Sequence, residues 1–187
     1  MPPVWLSITL FSMVGAAVVF LLSRYNALVR SRQRVQDAWT VVDAQLRRRA
    51  GLLPNAIEIV RGYAQQEREV FEQVARARGA MQAAAGAVHT AIASNLLSQA
   101  VGRLIAIVES YPQLSASTKF CTLREDLRDI EDKIAFARAF YNRLVLDYNT
   151  RIENYPVAAL AVHFGFARAE LFEAGHESHT GAGLIQG

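Results

Sequence analysis

Residues 118–155 read TKFCTLREDLRDIEDKIAFARAFYNRLVLDYNTRIENY, without a glycine or proline. Apolar side chains stand at Phe120, Leu123, Leu127, Ile130, Ile134, Ala137, Tyr141, Leu144 and Tyr148, alternately three and four residues apart. That spacing lines up one face of an α-helix. Ile152 and Tyr155 continue the stripe to Pro156, and Ser117 is placed to cap the N-terminus. Such a helix would be about 57 Å long. Its other face carries opposite charges four apart, Asp129 with Lys133, Arg128 with Asp132, Arg143 with Asp147 and Asp147 with Arg151.

The same periodicity extends upstream. Leu97, Val101, Leu104, Val108 and Tyr111 predict a helix from Asn95 to Pro112. Ile57, Val60, Ala64, Glu67, Phe71, Val74, Arg78 and Met81 predict another, and Leu28, Val35, Trp39, Val42, Leu46 and Leu53 a third. Gly51 and Pro54 between the last two predict a turn, with glycine ending one helix and proline opening the next. Residues 79–95, alanine-rich between Gly79 and Gly86, fit either a helix or a loop. Four helices with one apolar face each must bury those faces. The expected fold is all-α: an antiparallel bundle of long helices, or a coiled coil in which partner chains supply the missing faces.

The bundle does not begin at the N-terminus. No side chain from Met1 to Ser23 is charged, and Val4 to Leu22 is long enough, at about 28 Å, to cross a bilayer core. No Lys or Arg precedes this run, and Ser23-Arg24-Tyr25-Asn26 makes a poor signal-peptide cleavage site, so a retained transmembrane helix is expected. No breaker separates it from the first soluble helix. Arg24, Arg30, Arg32 and Arg34 follow with no acid before Asp37, which predicts an outside N-terminus and a cytoplasmic bulk. The resulting divisions are an anchor at 1–23, the bundle at 24–156, a short apolar segment at 157–174 near the membrane end, and a flexible tail at 175–187. If successive helices leave and return, the end of the last helix lies near the bilayer. The run from Val157 to Phe166 then either caps the bundle or inserts into the interface. Arg24, Arg30, Phe164, Phe166 and Phe172 are the membrane-interface candidates.

Composition excludes several classes. Of 187 residues, 52% are hydrophobic and 20% charged, which rules out a disordered chain. A net charge of +3 is too small and scattered for a nucleic-acid-binding protein. One cysteine, Cys121, excludes a disulfide framework within the chain, and reads as a small core residue rather than a reactive thiol. A di-iron bundle needs two Glu-x-x-His motifs, whereas this chain has one, Glu173 with His176, in the tail. His176 and His179 could bind a metal adventitiously. No phosphate loop, nucleophile elbow or HExxH motif occurs. No catalytic, cofactor or metal site is expected, and no small-molecule substrate is evident.

What stands out instead is polar groups on apolar stripes. Glu67, Arg78 and Arg49 fall within them, and Glu131 and Arg138 flank the stripe of the last helix. A charge facing a core needs a partner, so Glu67 is expected to pair with Arg138 or Arg49 and fix helix register, or else to sit in water at the rim. Tyr141-Asn142 and Tyr148-Asn149 lie one heptad apart and present the same face. They serve either hydrogen bonds between helices or an interaction surface.

The ordered motifs resemble the LemA family of bacterial membrane-anchored helical proteins. The matching residues begin with Tyr25 to Val29, Ala38 to Arg49, and Leu53-Pro54-Asn55, followed by Tyr63 and Glu67. Glu109 to Leu114 and Phe120 follow. The last helix adds Glu131, Ile134, Ala137-Arg138, Tyr141-Asn142 and Tyr148 to Ile152, and then come Tyr155-Pro156 and Phe164-Gly165-Phe166. The likeness covers roughly residues 24–172. Two stretches depart from it: Ser115 to Lys119 lack the lysine and asparagines often seen there, and the alanine-rich centre carries no family motif. The resemblance implies a single-pass inner-membrane protein with a helical cytoplasmic domain and no catalytic residues. The expected function is a non-enzymatic scaffold or interaction protein that self-associates, the long last stripe leaving apolar surface for a second copy. The alternative is a regulatory or sensory subunit that relays a signal through the first helix to a different protein partner.

Overall fold

The computed structural model describes residues 4–172. Six helices and no strand occur among the described residues: α1 Val4–Arg61, α2 Arg68–Ala83, α3 Gly86–Glu109, α4 Pro112–Ser115, α5 Thr118–Glu153 and α6 Val157–His163. The fold is all-α, built on long helices with one buried face each. The tail expected at 175–187, like Glu173, His176 and His179, lies outside the described residues.

α5 follows the stripe that predicts it. Phe120, Leu123, Ile130, Ile134, Ala137, Tyr141, Tyr148 and Ile152 are all buried, with Leu127 and Leu144 half-buried. The Ser117 hydroxyl accepts the Phe120 N–H at 3.3 Å and caps the helix. On the outer face Lys133 reaches Asp129 at 2.6 Å.

α1 is longer than its sequence suggests. The turn expected at 51–54 does not form, and the helix continues through Pro54 to Arg61. Proline here removes one N–H and leaves the Ala50 carbonyl without its usual helical donor. The helix persists because Leu46, Ala50, Leu53, Ala56 and Val60 stay in phase and all are buried. Apolar burial at about 25 cal/mol per Å² over three turns outweighs one lost bond. The chain turns instead at 62–67, where the Tyr63 and Ala64 N–H groups both bond the Val60 carbonyl. The expected single helix over 57–81 is therefore two helices with a bend between. Residues 79–95 are also settled: α2 ends at Ala83, and α3 begins nine residues before the expected Asn95, at Gly86. Gly86 has φ +78°, in the left-handed region that favours glycine.

The chain divides into two compact units. The first comprises residues 4–42 and 136–171, and the second 43–135 with Phe172. In the second unit, the later part of α1, α2, α3, α4 and the first half of α5 enclose a core that includes Leu46, Leu53, Val74, Met81, Leu97, Leu104 and Ile130. α3 is long and apolar enough to cross a membrane, but its Leu97, Val101, Leu104 and Val108 are buried in this unit. Cys121, expected in the core, is exposed on the first turn of α5, with Sγ facing the Ser115 carbonyl at 3.7 Å. One residue after Phe120, it falls outside the stripe.

In the first unit, α1 and the second half of α5 lie together, with Trp39 and Tyr141 rings 5.4 Å apart. α6 closes with a glycine cap. Gly165 has φ +69°, and the Phe166 N–H bonds back to the Ala161 carbonyl at 2.9 Å. The chain then leaves as an extended strap, 166–171. All described side chains of α1 from Trp5 to Leu22 are exposed, Phe11 by 83% and Trp5 by 79%.

Candidate functional site

Three polar or aromatic clusters distinguish this chain from a plain apolar bundle. In the second unit, Arg49 on α1 is almost wholly buried. Its Nη2 meets Glu131 Oε1 on α5 at 2.6 Å, and its Nη1 donates to Ser98 Oγ on α3 at 3.0 Å. Ser98 in turn donates to the Ser94 carbonyl at 3.0 Å. One guanidinium thus ties three helices. Burial lowers the Arg49 pKa, and the Glu131 charge opposes that shift. The Arg49 Nε is buried without a hydrogen-bond partner, whereas Glu131 keeps about half its side chain in water. The expected partner, Glu67, instead stands half-buried just before α2, because the chain turns at 62–67. Arg138 lies half-buried on α5. The pair that Arg49 does form uses a carboxylate one position outside the α5 stripe.

The second cluster explains the Tyr-Asn heptad pairs. In the first unit, Tyr141 Oη donates to the Glu170 carbonyl at 2.7 Å and Tyr148 Oη to the Ala167 carbonyl at 2.9 Å. Asn149 is used twice: its Nδ2 donates to the Ala169 carbonyl and its Oδ1 accepts the Ala169 N–H, both at 2.9 Å. α5 therefore grips the strap by its backbone, a mode that does not depend on strap side chains. Of the two sequence readings, neither anticipates this acceptor, because an aperiodic segment gives no signal of where it docks. Arg168 adds an ion pair to Glu153 at 2.9 Å. Asn142 is half-buried.

Burial raises the pKa of both phenols, with the Glu170 charge adding to the shift at Tyr141 and Arg32 opposing it at Tyr148. An acid whose folded pKa is raised gives its full stabilisation below its unfolded value, near 10 for tyrosine, and loses it as pH rises through the folded value. The strap is thus expected to hold constant protection from hydrogen exchange, corrected for intrinsic rate, up to about pH 10, and to lose it above. Tyr148→Phe should lose protection already at neutral pH, by about one hydrogen bond.

The third cluster sits where α1 emerges from its exposed apolar stretch. The Tyr25 ring lies 4.9 Å from that of Phe164 and 6.0 Å from that of Phe166. Arg32 stands 5.9 Å above Phe166, and Arg24 lies 4.8 Å from the Phe20 ring. The end of α6 thus reaches the level of Tyr25, three residues beyond Leu22. Of the interface candidates, Arg24, Arg30 and Phe164 are exposed and Phe166 is half-buried. Phe172 is a correction: it is 1% exposed, packed inside the protein and not available to lipid. Tyr155 is another correction: read as the end of the α5 stripe, it lies beyond α5 and is 88% exposed, and Val162, at this same end, is 86% exposed. Their exposure depends on the break after α5, which resets the helical phase.

None of these clusters pairs a nucleophile with a base, and no group of three or more His, Cys, Asp or Glu could hold a metal among the described residues. A concavity of about 710 Å³ between the Asn55 and Thr118 regions of the second unit is lined by mixed polar and aliphatic groups.

The family model for LemA matches residues 38–183, more than three quarters of the chain. The chain belongs to the LemA family. That span includes Arg49, Glu131 and the whole Tyr-Asn strap seat. Among similar proteins, magnetosome protein MamQ of Magnetospirillum gryphiswaldense is 28% identical, over 94% of this chain and 73% of the relative. MamQ 2 of Paramagnetospirillum magneticum is 27% identical, over 86% of this chain and 68% of its own length. Protein LemA of Metamycoplasma hominis is 21% identical, over 86% of this chain and 74% of its own. This LemA-family chain is thus similar over most of its length to proteins of two different names.

Proposed function

We propose that this LemA-family chain is a membrane-anchored helical scaffold or interaction protein that self-associates at the bacterial inner membrane and carries no catalysis of its own. The observation that carries the reading is α1. One uninterrupted helix begins with uncovered apolar residues over 5–22 and continues into a stripe, Leu28 to Val60, that is buried against protein. Water cannot solvate the first stretch cheaply, whereas a bilayer can. The arginines at 24, 30, 32 and 34 favour a cytoplasmic bulk. The MamQ relatives are named magnetosome proteins and the Metamycoplasma relative is named LemA, so the reading rests on this chain's own apolar helix and bundle rather than on that compartment.

The α5 stripe is buried or half-buried from Phe120 to Ile152, so its extra length is a poor argument for a second copy. Self-association is supported instead by Phe136 and Phe140, 76% and 51% exposed one turn apart on α5. Chains tethered by parallel anchors hold this patch at one height, so the same patch on another copy is its natural mate. In alkaline carbonate washes the full chain should stay with the membrane, and a variant lacking residues 4–22 should be released. Cross-linking in those membranes should give a dimer that Phe136→Asp with Phe140→Asp abolishes. A full chain recovered in the wash supernatant overturns the anchor, and dimers unaffected by the double variant overturn the patch.

A further inference from the structure

Beside the exit of the apolar stretch, the first unit holds a cavity of about 230 Å³ between α1 and the end of α5. Arg24 and Leu28 line it from α1, and Arg151, Asn154, Tyr155 and Val157 from the other side. No carboxylate lines it. The neighbouring acid, Glu153, is taken by Arg168 at 2.9 Å, and Arg151 forms no ion pair among the described residues. Two arginines and an asparagine therefore border one space that no acid lines.

The height of the cavity matters as much as its lining. Arg24, on the cavity's α1 wall, lies two residues past Leu22, about 3 Å along the helix. If residues 4–22 span the hydrocarbon, as proposed above, that places the cavity in the headgroup layer, which adds roughly 5–8 Å on each side of the core. The geometry points to a binding site for the headgroup of an anionic phospholipid. The phosphate sits between Arg24 and Arg151, where planar guanidinium groups match its oxygens. Asn154 offers a neutral donor to the glycerol region. Exposed Tyr155 flanks the site at the depth aromatic rings prefer. Inorganic phosphate would use only the charged half.

The test is native mass spectrometry of the full-length protein in detergent, titrated with short-chain phosphatidylglycerol, short-chain phosphatidylcholine or inorganic phosphate. Phosphatidylglycerol should bind at low occupancy number and more tightly than either of the others. Arg151→Ala should weaken it about fivefold, and Asn154→Ala less. Arg143→Ala, exposed elsewhere on α5, should leave it unchanged, with helicity checked in each case. Equal binding of phosphatidylglycerol by wild type and Arg151→Ala overturns the site, and equal affinity for inorganic phosphate reduces it to a plain anion site and overturns the lipid assignment. Because the titration is done in detergent, its failure is distinct from failure of the carbonate wash, which tests the anchor itself.

Discussion

Glu131→Ala should destabilise the second unit by about 2–3 kcal/mol, while Arg49→Met should change it by less than about 1 kcal/mol. The asymmetry follows from where each charge sits. Arg49 is buried with 5% of its side chain exposed, and Glu131 keeps 47%. Removing the carboxylate leaves a guanidinium in the core with only Ser98 to bond, and breaking a buried pair from that side is costly. The usual range of about 3–5 kcal/mol is trimmed here because Glu131 is itself half in water. Removing the arginine leaves a carboxylate that water can solvate, and methionine refills the volume among Leu46, Ala50 and Leu53. Arg49→Ala should fall nearer Glu131→Ala, since it adds a cavity. Urea denaturation of the full chain in detergent, followed by circular dichroism, measures the difference. A Glu131→Ala protein as stable as the parent, or an Arg49→Met protein that is the weaker of the two, would show that the ion pair does not set the packing of α1, α3 and α5.

Asn149→Ala should release the strap without unfolding the helices. Asn149 supplies two side-chain bonds from α5 to the strap backbone, beside one each from Tyr141 and Tyr148. At about 1 kcal/mol or slightly more per bond, its loss weakens closure by about 2–3 kcal/mol, so the open state becomes about 30-fold or more populated. Arg168 lies in the strap and is mostly exposed, which makes it a ready reporter. Trypsin should cleave after Arg168 at least 30-fold faster in the variant, with helical circular dichroism unchanged. Asn149→Asp keeps one acceptor, loses the donor and sets a charge against the Ala169 carbonyl, so it should lie close to alanine. Unchanged cleavage in both variants would mean that other contacts hold the strap.

Much of the architecture is legible in the spacing of apolar residues, because a helix converts a three–four repeat directly into a buried face. Leu28, Val35, Val42, Leu46 and Leu53 on α1 and Phe120 to Ile152 on α5 are buried as that rule requires. The rule is weaker at the ends of elements. Gly51 and Pro54 carry local signals for a turn, yet α1 runs through them because the stripe on either side stays in phase. The real turn at 62–67 is hidden, since Val60, Ala64, Glu67 and Phe71 keep helical spacing across it by coincidence. Cys121 and Phe172 show the same limit, one read as buried and found exposed, the other read as available to lipid and found buried.

The polar clusters divide in the same way. The sequence marks Arg49, Glu131, Tyr141, Tyr148 and Asn149 as groups needing partners, because burial of an unpaired polar group is unfavourable wherever it occurs. It does not name the partners. Glu131 rather than Glu67 reaches Arg49, and the tyrosines and asparagine bond the carbonyls of a strap that has no periodicity of its own. By itself, then, the order of residues determines an apolar N-terminal helix, a set of long amphipathic helices and the side chains that must be satisfied, since each of these follows from local spacing and solvation. Tertiary structure alone decides where helices stop and which polar groups meet, because both depend on surfaces brought together from distant parts of the chain.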